Sequence, residues 1–290
     1  MPTNLQPTIG LALSGGAARG MAHVGVLRAL TENNIRIDCL AGTSAGSLVG
    51  GAWAAGMSVD QIADLSRKLR WRDIGRMTMS RLGIQSNERM EQYLRANLPI
   101  TRFEDLTIPF AAVATDLKTG GAVVMRDEGD VPFAIRASCT IPGWYVPVAD
   151  QQGRQLVDGG LVAVIPVTVA RSLGADIVIA IDVNGAGATF IGSSSSVIGV
   201  LLQSMLVVQK TASHYQLELS DFVIRPKVGH IRWDEMGRAD ELIDAGYEAG
   251  LESISSIRAL IDEAIGAQPK WYQLRRRKKL AVKPPLTIPT

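Results

Sequence analysis

Three short stretches carry residue types that could do chemistry together. The first is Gly42-Thr43-Ser44-Ala45-Gly46, a G-x-S-x-G with one hydroxyl among small neighbours. Small neighbours permit the sharp strand-to-helix turn that lifts a serine above a sheet. The helix behind it sets a partial positive charge near any anion that forms at the hydroxyl. On its own the pattern also describes a structural tight turn; the buried strand before it and the helix after it favour a nucleophile. The second stretch is Ser14-Gly15-Gly16-Ala17-Ala18-Arg19-Gly20, where backbone N–H groups can converge on an anion. A dinucleotide loop needs glycine at its first, third and sixth positions, and counted from Gly15 the third is Ala17. A P-loop needs Gly-Lys-Ser/Thr, which is absent here. An oxyanion hole or a plain strand–helix connection remain. The third stretch is Asp158-Gly159-Gly160, a carboxylate at the end of a short apolar run, fit for a general base or for an ordinary turn aspartate.

These stretches need elements to hold them. Residues 9–14 (IGLALS) and 37–42 read as buried strands with a helix over 19–33 between them, whose apolar positions Met21, Val24, Leu27 and Leu30 keep helical spacing. Residues 43–56 read as a helix of small residues able to approach a sheet closely. Residues 58–106 read as helices and loops covering one end of the sheet. Strands follow at 109–117 and 122–125, a helix at 130–138, a short strand at 155–157, a helix at 167–173 and a parallel-type strand at 176–183 (DIVIAIDV). A long helix over 196–219, a strand over 222–225 and a helix over 239–265 close the pattern. The low-complexity patch is Gly192 to Ser196. Strands and helices alternate throughout, which predicts one α/β domain.

The chain has 290 residues, 47% hydrophobic and 20% charged, enough for a sizeable core. Cys39 and Cys139 are too few for a secreted disulfide scaffold. The first residues lack the basic and apolar regions of a signal peptide, and no run is long enough to span a bilayer. A cytoplasmic protein with peripheral membrane contact is the expectation. The formal charge of +2 is uneven. Residues 267–290 hold seven basic side chains and no acid, Arg275-Arg276-Arg277-Lys278-Lys279 among them, which leaves residues 1–266 at −5. This tail is expected to be extended, and either solvated or in contact with anionic lipid beside Trp271 and Tyr272. The acidic body and the lack of a recognition motif argue against nucleic acid.

Taken together, the run LALSGGAARGMAHVGVLRAL, then GTSAGS, then DGG, resembles the patatin-like phospholipase family, especially its small bacterial members, over roughly residues 9–183. RASCTIPGWYVP (residues 136–147) and ATDLKTGG (residues 114–121) resemble family segments too. The resemblance implies a three-layer α/β sandwich with a mainly parallel central sheet in residues 1–266, followed by the tail. It also implies acyl-ester hydrolysis, often of phospholipids, by a Ser–Asp dyad with no metal or cofactor. Carried over, Ser44 is the nucleophile, Asp158 the base, and Gly15, Gly16 and Ala17 the oxyanion loop, which acts through the N–H groups of Gly16 and Ala17. Arg19, Gly20, Gly42, Gly46 and Gly159 support these motifs. Family members usually have glycine where Ser14 and Ala17 stand, and a positive φ at Ala17 would bear on activity.

Two rivals stay open. His214 or His230 follows Asp158 in the Ser–acid–His order of a triad, although the glycine loop just before the nucleophile favours the dyad. His23 fits a packed, loop-supporting role. A catalytically weak relative acting as a regulatory or adaptor protein is the alternative that Ala17 keeps alive. Arg19 and Arg136 fit either a substrate anion or a structural ion pair. Leu201, Leu202, Met205, Leu206 and Val208 fit either an acyl pocket or a buried core face.

Overall fold

The computed structural model describes residues 6–185 and 197–267. In chain order the elements are β1 (Ile9–Leu13), α1 (Ala22–Glu32), β2 (Cys39–Thr43), α2 (Ala45–Ala54), α3 (Val59–Lys68), α4 (Trp71–Ile74), β3 (Arg76–Met77), β4 (Gly83–Ser86), α5 (Glu88–Asn97), β5 (Phe110–Asp116) and β6 (Ala122–Met125). After these come α6 (Val131–Ser138), β7 (Gly143–Tyr145), β8 (Val148–Ala149), β9 (Gln155–Asp158), α7 (Val167–Ser172), β10 (Ile177–Ile181), α8 (Val197–Leu217), β11 (Phe222–Ile224) and α9 (Ala239–Ala267).

Alternation along the strands sets the layers, because successive side chains in a strand point to opposite faces. Leu11, Leu13, Leu40, Phe110, Ile179 and Ile181 face one way and pack with Val24, Leu27 and Leu30 of α1, Val49 of α2 and Ile243 and Ile257 of α9. Ala12, Ala41, Ala111, Val178 and Ala180 face the other way, onto Val167, Val169 and Ala170 of α7, with Leu217 of α8 at the margin. Large residues thus lie under the thick helical layer and small residues under the thin one. The result is the three-layer α/β sandwich expected from the sequence.

The sheet runs β11-β10-β1-β2-β5-β9-β8, with β6 also on β5. From β11 to β5 neighbouring strands are parallel, so the loops leaving β1, β2 and β10 gather at one end. Crevices at the carboxyl ends of such strands are where ligands bind in open α/β sheets. The expected helix over 19–33 begins as a 3₁₀ turn at Ala17–Met21 before α1, and the helix expected from Thr43 starts at Ala45.

A second, three-stranded sheet, β3-β4-β7, falls in part within the stretch read as helices and loops. Its strands are two to four residues long, too short to show alternation, and β4 pairs with β7 some sixty residues later, Gly83 opposite Gly143. No helix among the described residues is long and apolar enough to cross a membrane. The basic tail and the Gly192 to Ser196 patch lie outside the described residues.

Candidate active site

β5 brings the serine and the aspartate together. β6 occupies one edge of β5 along residues 112–115, so β2 and β9, which overlap it in register, share the other edge. β2 runs along it from Leu40 opposite Phe110 to Thr43 opposite Val113. β9 comes from the opposite direction and ends with Asp158 opposite Ala114. The two strands therefore meet head-on, and the residues at the junction are Ser44 and Asp158. The Ser44 hydroxyl lies near enough to the Asp158 carboxylate to favour its ionised form. Thr43 Oγ1 donates to the Ala163 carbonyl at 2.6 Å, which ties the serine turn to the segment after Asp158.

Ser44 sits at φ 52° and ψ −124°, a conformation that L-residues seldom adopt and that costs on the order of 1–3 kcal/mol. Its surroundings hold it there. The Ser44 N–H donates to Ser138 Oγ at 2.8 Å, and Ser138 in turn donates to the Val113 carbonyl at 2.6 Å. The glycines on either side are steric requirements: a Cβ on Gly42 would lie 2.5 Å from the Gly46 carbonyl oxygen, and one on Gly46 would lie 2.3 Å from that of Leu13. The turn then opens directly into α2, whose N-terminal end faces the hydroxyl.

Asp158 is 5% exposed, and burial raises its carboxyl from the ordinary range to about 6. The neighbouring Ser44 hydroxyl and the Gly160 N–H, which donates to the carboxylate at 2.8 Å, oppose that rise without cancelling it. The backbone of Asp158 is fixed on both sides, its N–H to the Thr140 carbonyl at 2.8 Å and its carbonyl accepting from Thr115 Oγ1 at 2.9 Å. A Cβ on Gly159 would lie 2.2 Å from the Val113 carbonyl oxygen, so the residue after the aspartate has to be glycine.

The glycine loop spends several of its N–H groups on the surrounding backbone. The Gly15 N–H donates to the Val164 carbonyl at 3.0 Å and is not available to an oxyanion. Ala18 and Arg19 also spend their N–H groups, on Trp233 and Gly16. No protein acceptor takes the N–H of Gly16 or Ala17 among the described residues, and both residues line the cavity with Ser44. Ala17 has φ 48°, in the left-handed region that favours glycine. The structure thus meets the positive φ, and does so with an alanine. Ser14 is buried, and its Oγ accepts the Val183 N–H at 3.1 Å. Asn184 Nδ2 donates to the Gly15 carbonyl at 2.7 Å. β10 and the segment after it thereby brace the loop, a role that no local signal in the sequence announces.

Ser44 lies at the junction of two cavities. The larger, about 340 Å³, is walled by the glycine loop, Asp158, Gly160, Asp182, Asn184 and the inner face of α8. Leu202, Met205 and Leu206 give α8 an apolar lining, and Gln203, Gln209 and Lys210 a polar one. Leu201 and Val208, grouped with them in the sequence, point outward instead at 64% exposure each. The stripe is therefore split between a cavity wall and an outer face and is not a single core face. The smaller cavity, about 70 Å³, is almost wholly apolar and runs past Ala45 and Leu48 to Leu69, Ile74, Met90 and Met236. Cys139 lies on its wall within hydrogen-bonding reach of Ser44 and Ser47, and burial pushes its thiol up, so it stays protonated.

The remaining candidates make structural contacts, and of these only Arg19 also lines the larger cavity. His23 is fully buried, Nε2 donates to the Ser14 carbonyl at 2.9 Å, and burial lowers its pKa to about 4. It is a neutral support of the glycine loop. His214 pairs with Glu218 and His230 with Glu241, both exposed, and neither lines the Ser44 cavities. Arg19 donates through Nε to the Ile231 carbonyl at 2.7 Å, and Arg136 pairs with Glu91 and Asn87. Among the described residues no cluster of His, Cys, Asp or Glu could hold a metal ion. Ser138, Asn184 and Cys139 were not singled out from sequence; each acts through a partner far along the chain.

A head-on strand junction thus brings a strained serine and a buried aspartate together beside a glycine loop on an α/β sandwich. The family model for patatin-like phospholipases matches residues 11–171, and the chain belongs to that family. It is 40% identical over 185 residues to an uncharacterized NTE family protein of Mycobacterium tuberculosis, covering 63% of this chain and 51% of that one. It is 31% identical over 275 residues to patatin-like phospholipase domain-containing protein 7 of Rattus norvegicus, covering 83% of this chain and 20% of the relative. The chain thus spans about half the length of the mycobacterial relative and a fifth of the rat one. Among solved structures, VipD from Legionella pneumophila shares the fold with a TM-score of 0.61 at 13% identity, over 87% of this chain and 67% of that one.

Proposed function

We propose that the protein is a serine acyl-ester hydrolase acting on lipid esters, with Ser44 as nucleophile and Asp158 as its base. The observation that carries this reading is the strand junction on β5 that sets the Ser44 hydroxyl beside a buried carboxylate, raised by burial to about 6. An ordinary carboxylate is a weak base toward a hydroxyl. One raised to about 6 is better matched to the task and still mostly ionised at neutral pH.

Ser44 Oγ attacks the ester carbonyl while its proton passes to Asp158. The N–H groups of Gly16 and Ala17 receive the oxyanion, a contribution worth about 10²–10³ in rate per donor. Asp158 returns the proton to the departing alcohol. Water then attacks the acyl-enzyme, Asp158 takes its proton and hands it back to Ser44, and the fatty acid leaves. The small apolar cavity accepts the acyl chain, and the larger one accepts the alcohol portion, with Lys210 at its edge for a phosphate.

The alternative is a catalytically weak relative with a regulatory role. The left-handed backbone of Ala17 is what favours it. Turnover of p-nitrophenyl esters of increasing chain length by the purified protein decides. The hydrolase reading expects activity in the wild type and background rates in Ser44→Ala and Asp158→Asn, both still folded. An inert wild type, on these esters and on phospholipid vesicles, selects the alternative.

A further inference from the structure

The segment between α4 and α5 is not used by the proposed chemistry. β3 and β4 form a hairpin there, with Arg76 opposite Ser86 and Met77 opposite Gln85. The hairpin is well anchored. Thr78 N–H donates to the Ile84 carbonyl at 3.1 Å, Leu82 N–H to Ser80 Oγ at 3.1 Å, and Val146 N–H to the Gln85 carbonyl at 2.8 Å. β4 also pairs with β7 in parallel. Its tip nevertheless displays large apolar side chains to solvent: Met77 is 68% exposed, Leu82 57%, and Met79 entirely. An anchored loop that holds three such side chains outward is arranged for a surface that buries them.

The charges around the tip indicate which surface. Residues 70–89 contain five arginines against Asp73 and Glu88. Arg76 and Arg81, which alternate with the apolar residues, have no ion-pair partner among the described residues. Apolar side chains that enter an acyl layer, with arginines that meet the headgroups, are the pattern of an interfacial anchor. The hairpin also adjoins the small apolar cavity. Trp71 and Ile74 before it, Met90 after it and Tyr145 of β7 beside it all line that cavity. α8, which walls the larger cavity, turns Val200, Leu201, Val207 and Val208 outward as well.

We infer that the β3–β4 hairpin docks the protein on an anionic lipid bilayer, with Met77, Met79 and Leu82 in the acyl layer and Arg76 and Arg81 on the headgroups. This anchor is separate from the basic tail and does not depend on the hydrolytic chemistry. The test uses the full chain carrying Ser44→Ala, so that vesicles are not consumed, sedimented with phosphatidylglycerol-containing or pure phosphatidylcholine vesicles. The parent is expected to bind the anionic vesicles more tightly. Arg76→Gln/Arg81→Gln is expected to weaken that binding by roughly thirtyfold. Met79→Ser/Leu82→Ser is expected to weaken binding to both vesicle types. These side chains are solvent-exposed, so unchanged melting temperatures should confirm intact folding. A third variant, Arg275→Gln/Arg276→Gln/Arg277→Gln, separates the tail from the hairpin. Hairpin variants that bind as the parent does overturn the inference, whether or not the tail variant loses binding. So does a parent that ignores vesicles. Hairpin variants that change only self-association, at unchanged vesicle affinity, assign the patch to a second copy of the chain and overturn it equally.

Discussion

The two walls of the site are built in opposite ways. On the strand-end wall every element is over-determined. Ser44 is held by Ser138, Asp158 by Thr140, Thr115 and Gly160, and the glycine loop by Val164, Asn184 and His23. Glycines at 42, 46 and 159 allow backbones to touch where a Cβ would collide with a carbonyl. The α8 wall is a single long helix tied to the segment after Asp158 through Gln216, which donates to the Val162 carbonyl at 3.1 Å and accepts the Ile165 N–H at 2.8 Å. On its outer side Val200, Leu201, Val207 and Val208 are exposed. On the proposed hydrolase reading the contrast is a division of labour: a reacting pair needs fixed geometry, whereas the facing helix only has to wall the cavity.

Three measurements sharpen or break this contrast, beyond the two already described. The largest expected effect is on the pH profile. If Asp158 must be ionised to act, kcat/KM falls about tenfold per unit below a pH of about 6 and is flat above 7. A profile with no acid limb near that value breaks the assignment of Asp158 as the base.

The second effect is on stability. A carboxyl raised by folding binds its proton more tightly in the native state, so its ionisation weakens the fold as pH rises from about 4 to about 6. Asp158→Asn removes that penalty and can still accept the Gly160 N–H. Denaturant unfolding at pH 7.5 is expected to show the variant more stable by about 1–3 kcal/mol, with the gain lost near pH 4. A variant that is less stable at pH 7.5 shows that the aspartate contributes more through its contacts than it costs through burial.

The smallest effect concerns α8. Gln216→Ala leaves the Val162 carbonyl and the Ile165 N–H without their partner, a loss of about 1–3 kcal/mol. The helix is expected to exchange its amide hydrogens faster, and KM to rise while kcat is nearly retained. A fall in kcat with KM unchanged would show that α8 is part of the fixed wall after all.

Much of the fold was legible in the sequence. Buried strands of the parallel sheet announce themselves as unbroken apolar runs such as IGLAL and IVIAI. The helices that flank them show their period, and the expected helix over 130–138 matches α6 with Asp130 as its cap. The small sheet β3-β4-β7 was not legible. Its strands are too short to carry a pattern, and the pairing of Gly83 with Gly143 depends on a distant turn. Nor could the sequence divide the α8 stripe between cavity and solvent, since an apolar face looks the same whichever surface it meets.

Sequence alone determined which residues could react and where backbones had to pass close to one another. Gly42 is a local requirement, because a Cβ there would meet Gly46 and Ser47, and the order of the three motifs places the chain in the patatin-like family; Gly46 and Gly159 answer to Leu13 and Val113, far along the chain. Tertiary structure decided everything that depends on two distant segments meeting. The head-on approach of β2 and β9 along β5 joins Ser44 to Asp158, 114 residues apart in the chain. The Val164 carbonyl takes the Gly15 N–H and leaves Gly16 and Ala17 as the free donors. Burial raises the aspartate, because the energy of a charge depends on the medium around it, and that medium exists only once the chain has folded.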